Sequence, residues 1–230
     1  MLRFGLEKTS LIDFPGFVSC VVFIRGCNLR CPYCHNPELV EGPEPDGMVD
    51  KEKILEFLRK RKAVLQGVCL SGGEPLLSLE GIGLLKEIRQ LGYKTKVDTN
   101  GTLPDRLERI EADYVALDVK TSPDKYILLG GSPEIGRAVL ESIRLLQKKG
   151  PPHEVRITVA PEIFEFADAQ YLAPYLQETN QVVLTGLRLS HVLDPSYAGR
   201  IKPYPLSFLS EIKNFFLQKG IPTRIRGQSL

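Results

Sequence analysis

The sequence predicts an α/β fold with parallel strands, and two observations predict it. Short apolar, β-branched runs alternate six times with stretches of helical periodicity along the 230 residues. Such alternation is typical of parallel strands joined by right-handed crossover helices. The polar motifs of the chain fall directly after strands, where parallel α/β folds build their sites. An open doubly wound sheet and a barrel of fewer than eight units both fit, and periodicity alone does not choose between them.

The elements follow from the apolar runs and from the residues that bound them. The predicted strands are 18–24, 68–71, 94–98, 114–119, 154–160 and 182–190. The predicted helices are 51–62, 79–91, 104–110, 133–149, 166–178 and 206–219. Asp50 can cap the first helix, and Ser132 followed by Pro133 marks the start of the fourth. Helix ends are predicted at glycines, namely Gly92, Gly150 and Gly220.

Composition excludes several classes of protein. The apolar share is 43% and the charged share 25%, as in a globular chain. The net charge of +2 argues neither for nor against nucleic acid, but no basic run dominates one segment, and we expect no nucleic-acid partner. No run reaches the roughly 18 apolar residues of a membrane span, and the N-terminus lacks the apolar core of a signal peptide. We therefore expect a cytoplasmic protein without a membrane partner. We also expect a single domain over residues 1–230, with a core at about 18–190 and a C-terminal helix and tail at 205–230.

Three of the five cysteines lie close together just after the first strand. Cys27, Cys31 and Cys34 follow a Cys-X3-Cys-X2-Cys pattern, whereas Cys20 and Cys69 stand alone in apolar runs typical of a buried core. An electron-transfer [4Fe–4S] cluster has four cysteine ligands, so three would leave one iron open, as at a catalytic centre.

A structural zinc site with His35 as the fourth ligand is the main alternative for this loop. His35 adjoins Cys34, which makes joint ligation awkward, and zinc patterns usually space their ligands as two separated pairs.

Short polar motifs follow three further strands. Residues 71–75 read Ser-Gly-Gly-Glu-Pro, where the glycines allow close backbone approach and the carboxylate suits a cation. Residues 98–101 read Asp-Thr-Asn-Gly, and residues 118–120 read Asp-Val-Lys. Taken alone, these three strings also fit a tight turn, an Asx turn and a solvated ion pair.

The cysteine pattern, with aromatic Tyr33 directly before the last cysteine, resembles the signature of the radical S-adenosylmethionine (SAM) superfamily. In that family the three cysteines bind three irons of a [4Fe–4S] cluster, SAM chelates the fourth iron, and the aromatic residue lies near the adenine. The resemblance covers about residues 18–190 and implies these roles for Cys27, Cys31, Cys34 and Tyr33. We accordingly expect one radical SAM domain folded as a partial (βα)6 TIM-like barrel with parallel strands.

The later motifs extend this resemblance. The string at 71–75 resembles the family motif that holds the amino group of SAM, which implies cofactor binding by Gly72, Gly73 and Glu74. In the glycyl-radical activating enzymes, residues that match Asp98, Thr99 and Asp118 surround a monovalent cation beside the SAM carboxylate. The residue that matches Lys120 contacts that carboxylate, as suits a point charge.

Two residues near later strands complete the predicted site. Arg156 lies on the fifth predicted strand between apolar neighbours, and a SAM contact and a structural ion pair both fit it. His191 follows the sixth strand, where related activators carry a histidine that approaches SAM. Its neighbours match those enzymes poorly, so an ordinary loop histidine is the alternative.

The narrowest resemblance lies in residues 8–16 and 26–38, which resemble the activating proteins of anaerobic ribonucleoside-triphosphate reductase. It implies reductive cleavage of SAM to a 5′-deoxyadenosyl radical that abstracts hydrogen from a glycine of that partner enzyme. It also implies an electron donor of flavodoxin or ferredoxin type. No cysteine-rich insertion follows Cys34, so one cluster is expected. The alternatives are a small-molecule radical SAM enzyme, such as a 7-carboxy-7-deazaguanine synthase, and a non-enzymatic iron–sulfur or zinc protein.

Overall fold

A computed structural model describes residues 2–226 of the chain. The strands in this part are β1 (Phe4–Ser10), β2 (Ser19–Ile24), β3 (Gly67–Gly72), β4 (Lys94–Thr99), β5 (Tyr114–Asp118), β6 (His153–Val159), β7 (Val182–Gly186) and β8 (Thr223–Ile225). The α-helices are α1 (Pro37–Val40), α2 (Lys51–Arg61), α3 (Leu79–Gln90), α4 (Pro104–Arg109), α5 (Pro133–Lys149), α6 (Phe166–Leu176), α7 (Pro195–Arg200) and α8 (Leu206–Gln218). Short 3₁₀ helices lie at Pro75–Leu77 and Pro123–Leu129.

All six predicted strand–helix units are present, and their local signals act as expected. The Asp50 carboxylate accepts the backbone N–H of Lys53 at 2.9 Å at the start of α2. Ser132 likewise caps α5 through the N–H of Ile135. The sixth predicted strand, which is β7 in the structure, is shorter than predicted. It ends at Gly186, and residues 187–190 form no strand.

The described residues form two compact units. The first comprises the residues up to Asn28 together with Asn36–Thr99 and Arg109–Val115. In it the strands lie in the order β1, β2, β3, β4. β1 pairs antiparallel with β2, while β2 with β3 and β3 with β4 are parallel. Most side chains of β2 and β3 are buried, as expected of parallel strands covered on both faces.

The second unit comprises Leu29–His35, Asn100–Glu108 and the residues from Ala116 onward. Here β6 pairs parallel with β7, and β7 pairs parallel with β8. The predicted α/β class with mostly parallel strands is thus confirmed. The single domain stays a prediction, and residue 1 and the end of the predicted tail at 227–230 lie outside the described residues. In the part of the chain described, no helix combines the length and apolarity that crossing a bilayer requires.

Candidate active site

The cysteine segment (residues 26–36) begins just after β2. The turn at residues 71–75 is hydrogen-bonded to the end of β2 and to the start of this segment. The N–H of Gly73 donates to the carbonyl of Ile24 at 2.9 Å, and the N–H of Glu74 donates to Gly26 at 2.8 Å. A β-carbon on Gly73 would overlap the Gly26 carbonyl, and one on Gly72 would overlap the backbone of Ile24. The glycine pair is therefore required by close backbone contact between the end of β3 and the end of β2 with Gly26, a reason that sequence reasoning had not identified.

The second half of the cysteine segment lies in the second unit and is fastened to the loop after β7. The N–H of Cys34 donates to the carbonyl of Cys31 at 2.9 Å, which closes a turn. The N–H of Leu193 donates to Cys34, and that of Asp194 to Pro32, each at 3.0 Å. His191 immediately precedes this anchored stretch. The loop that carries it therefore reaches the cysteine turn.

Exposure separates the five cysteines as the sequence predicted. Cys20 and Cys69 are 0% exposed, whereas Cys27, Cys31 and Cys34 are partly exposed reduced thiols. Burial raises the pKa of Cys20 to about 12, so this sulfur stays protonated and is a poor metal ligand.

The donor set suits an iron–sulfur cluster. Three accessible thiols lie within one short loop, and the thiolate is the form of cysteine that binds iron. Across residues 2–226, no three His, Cys, Asp or Glu side chains are already arranged as a metal-binding group. The assignment of the three ligands therefore depends on their spacing, their accessibility and the family.

Glu74 and Thr99, two predicted site residues, contact each other in the first unit. The Thr99 hydroxyl donates to Glu74 Oε1 at 2.7 Å, and the N–H of Leu76 donates to the same oxygen at 3.0 Å. Glu74 is 0% exposed. Its carboxylate thus holds both the turn after β3 and the end of β4.

Asp98 has a charged partner that sequence reasoning missed. The Lys96 ammonium forms an ion pair with the Asp98 carboxylate, and its Nζ lies 3.8 Å from the sulfur of Cys69. Lys96 is 1% exposed on β4, opposite Cys69 on β3 in the parallel register. A lysine within an otherwise buried strand was the signal that could have identified it, because lysine is almost never fully buried without a partner.

Asp118, Lys120 and Arg156 form one charged cluster in the second unit. Arg156 Nε lies 2.6 Å from Asp118 Oδ1, and Lys120 Nζ lies 3.2 Å from Asp118 Oδ2. Burial disfavours the charged carboxylate, but Arg156 and Lys120 hold the pKa of Asp118 well below its usual range. Burial likewise opposes the charge on Lys120, yet Asp118 raises its pKa above the usual value. Asp118 and Lys120 are therefore both ionised at neutral pH.

Tyr33 lies close to this cluster. Burial raises the pKa of Tyr33, and the nearby Cys31, Tyr126 and Asp118 add to the effect. Its hydroxyl is buried and makes no hydrogen bond within the described residues. A buried hydroxyl of this kind offers a bound ligand a donor and an acceptor.

The structure also bears on the alternatives left open for Arg156, His191 and His35. Arg156 forms an ion pair with Asp118, which was one of the two roles predicted for it. His191 is exposed and has a left-handed backbone φ of 52°. His35, the proposed zinc ligand, has Nδ1 3.3 Å from the carbonyl oxygen of Ser190.

The family model described as the radical SAM superfamily matches residues 21–166, a stretch that includes the cysteine loop and Asp118. The chain belongs to the radical SAM superfamily. The superfamily uses a [4Fe–4S] cluster and SAM, and this chain is a radical SAM enzyme that cleaves SAM to generate a radical.

Two similar proteins within this superfamily are named as activating enzymes. A protein of Methanocaldococcus jannaschii, provisionally named a glycyl-radical enzyme activating enzyme, is 32% identical over 185 residues. That match covers 76% of this chain and 75% of the relative. The pyruvate formate-lyase-activating enzyme of Staphylococcus epidermidis is 31% identical over 175 residues, which cover 69% of this chain and 68% of that enzyme.

A solved structure supports the fold of this radical SAM chain. The crystal structure of Streptococcus suis SuiB bound to S-adenosylmethionine aligns with a TM-score of 0.65 at 18% identity. The alignment covers 87% of this chain but only 48% of SuiB. The chain therefore spans about half the length of SuiB, and at this identity the likeness concerns the fold alone.

Proposed function

We propose that this radical SAM enzyme installs a glycyl radical on a partner protein. The observation that carries the proposal is the 32% identity over 185 residues to a relative named for glycyl-radical enzyme activation. A second relative at 31% identity is named for activation of pyruvate formate-lyase. Anaerobic ribonucleotide reductase is the proposed partner, because residues 8–16 and 26–38 resemble its activating proteins. We further propose a cytoplasmic location and a flavodoxin or ferredoxin as electron donor.

The cysteine loop has the chemistry that this function requires. Cys27, Cys31 and Cys34 would hold the cluster through three thiolates, which leaves one iron for SAM. When bound, the cluster supplies the electron that cleaves SAM into methionine and the 5′-deoxyadenosyl radical that takes hydrogen from glycine.

The charged cluster of the second unit would bind the carboxylate of SAM. Lys120 keeps its positive charge because Asp118 lies 3.2 Å from its ammonium, and Cys31 is close enough to influence that charge. An ammonium fixed beside the cysteine loop is a suitable partner for a carboxylate. Tyr33, with its buried hydroxyl, would lie at the adenine, and Arg156 would keep Asp118 ionised.

By the resemblance, the turn after β3 would bind the amino group of SAM. Gly72 and Gly73 keep this turn against the end of β2 and the start of the cysteine segment, and Glu74 adds a carboxyl group there. Thr99 orients Glu74 through its hydroxyl. These residues position SAM, while His191 on the loop after β7 is proposed as a further contact.

The test is electron paramagnetic resonance on anaerobically reconstituted enzyme mixed with SAM, a reductant and a candidate anaerobic ribonucleotide reductase. We expect a glycyl doublet that disappears when the target glycine of the reductase becomes alanine. The Cys34→Ala enzyme should give no doublet, and the Cys20→Ala enzyme should give the full signal.

The same preparation distinguishes the small-molecule alternative. Efficient turnover of a free small molecule, as by a 7-carboxy-7-deazaguanine synthase, with no radical on any candidate protein, would overturn the proposal.

A further inference from the structure

The monovalent cation implied by resemblance does not fit the residues that would hold it. Asp98 already forms an ion pair with Lys96, and Asp118 already contacts both Lys120 and Arg156. Thr99, the third implied ligand, donates its hydroxyl proton to Glu74, which does not prevent its oxygen from binding a cation, so the misfit concerns the carboxylates. Each carboxylate that would bind the ion is therefore compensated by a cation of the chain itself.

The Lys96 side chain is buried and is held by contacts within the protein. The side chain is 1% exposed on β4, so its ammonium depends on protein partners for its solvation. Cys69, which lies opposite in the register with β3, contributes a thiol sulfur at 3.8 Å. That sulfur is a weak acceptor, so the Asp98 carboxylate is the stronger of these two partners of the ammonium.

We propose that Lys96 replaces the monovalent cation in this enzyme. A lysine ammonium and K⁺ carry the same charge, and a K⁺ ion on Asp98 would stand beside the ammonium and be repelled by it. Lys96 is a positioning residue: it neutralises Asp98 and holds the end of β4 in place for SAM. The enzyme therefore has no requirement for K⁺ or Na⁺.

The experiment compares the full-length, anaerobically reconstituted chain in potassium chloride and in choline chloride at equal ionic strength. Thermal unfolding and the equilibrium affinity for SAM are measured for the wild type, Lys96→Met and the double variant Lys96→Met/Asp98→Asn. Lys94→Met is the matched control, because Lys94 lies on the same strand and pairs with an aspartate but is exposed to solvent.

The wild type should bind SAM equally in both salts. Lys96→Met should bind SAM roughly tenfold more weakly in choline, because Asp98 loses its cation, and K⁺ should restore the affinity. K⁺ should also raise the unfolding temperature of this variant by about 3 °C, as expected of an ion that binds the folded state. The double variant and Lys94→Met should show no specific response to K⁺.

A specific response of the wild type to K⁺ would overturn the proposal, and so would a folded Lys96→Met variant that gains no response. If Lys96→Met does not fold, the wild-type comparison decides alone. These measurements involve no partner protein, so the failure of glycyl-radical formation would leave their outcome unchanged.

Discussion

Solvent exposure divides the five cysteines of this chain into two groups. We expect Cys27→Ala, Cys31→Ala and Cys34→Ala each to abolish the [4Fe–4S] signal after reconstitution, because each removes one of three accessible ligands. Cys20→Ala and Cys69→Ala should retain it, because both sulfurs are buried. Iron and sulfide analysis with visible absorption provides the measurement. Loss of the cluster in the Cys69 variant alone would show that the three-cysteine assignment is wrong.

Glu74 serves both the fold and the proposed SAM site, and two substitutions separate these roles. Glu74→Gln retains an oxygen for Thr99 and Leu76, so the cluster and the stability should change little. SAM affinity should fall roughly ten- to hundredfold, because a charge-assisted hydrogen bond is lost. Glu74→Ala should in addition lose about 1–3 kcal/mol of unfolding free energy. Isothermal titration and urea denaturation distinguish the two, and unchanged SAM affinity in Glu74→Gln would remove Glu74 from the site.

Sequence reasoning identified most of the polar residues described in the two units, but not Lys96, the ion-pair partner of Asp98. Asp118 and Lys120 stand two positions apart at the end of a strand, so their proximity could be expected. Lys96 could not be linked to Cys69 without the register of β3 and β4, which depends on how the strands pair. The partnership of Glu74 with Thr99 was hidden for the same reason.

At the scale of elements, the turn after β3 depends on a glycine with no space for a side chain. We expect Gly73→Ala to destabilise the protein by about 1–3 kcal/mol and to impair cluster loading, because the added β-carbon overlaps Gly26 and crowds Cys27. Gly83→Ala in α3 is the matched control, with open space around the new methyl group. It should stabilise the protein by about 0.5–1 kcal/mol through helix propensity. Equal effects of the two substitutions in urea denaturation would contradict this account.

Asp113 ties α3 and β4 to the segment before β5. Its carboxylate accepts the N–H of Thr95 at 2.9 Å and lies 2.8 Å from Lys94 and 3.0 Å from Arg89. Burial would raise the pKa of Asp113, but Lys94 and Thr95 lower it below the usual value. Asp113→Asn should therefore cost about 1.5–3 kcal/mol at pH 7.

The sign of the pH dependence follows from that lowered pKa. The stabilisation is present above the unfolded-state pKa of about 3.9 and is lost as the pH falls through the lower folded-state value. The difference in unfolding free energy between wild type and variant should accordingly shrink as the pH is lowered below about 4. Denaturant titrations from pH 7 to pH 3 measure it, and a constant difference would exclude an ionic role for Asp113.

Element boundaries were predictable where apolar runs and caps were strong. The helix over 133–149 was predicted at both ends, because Ser132 and Pro133 mark its start and Gly150 its finish. β1 was missed because its burial shows no regular alternation and its centre is exposed. β8 has three residues, too few for a pattern. β7 was predicted too long, because the apolar residues after Gly186 continue into a loop that pairs with the cysteine turn.

At the scale of the whole molecule, the proposed substrate is a folded protein, so catalysis should depend on its arrival. We expect slow release of 5′-deoxyadenosine from SAM and reductant alone, and a rate at least roughly tenfold higher when the glycyl-radical partner is added. The reason is that partner binding supplies the energy that assembles the reactive arrangement. Chromatography of 5′-deoxyadenosine over time is the measurement. A fast partner-independent rate would favour a small-molecule substrate.

The antiparallel pairing of β1 with β2 has a consequence for handling the protein. β2 leads into the cysteine loop, and β1 and β3 satisfy the backbone hydrogen bonds on its two sides. Removal of β1 would leave a buried, apolar strand with a bare edge, which is a template for intermolecular strand addition. Shortened expression versions that lack residues 4–10 should therefore aggregate before any iron is added, and that loss would be easily mistaken for a defect in cluster assembly.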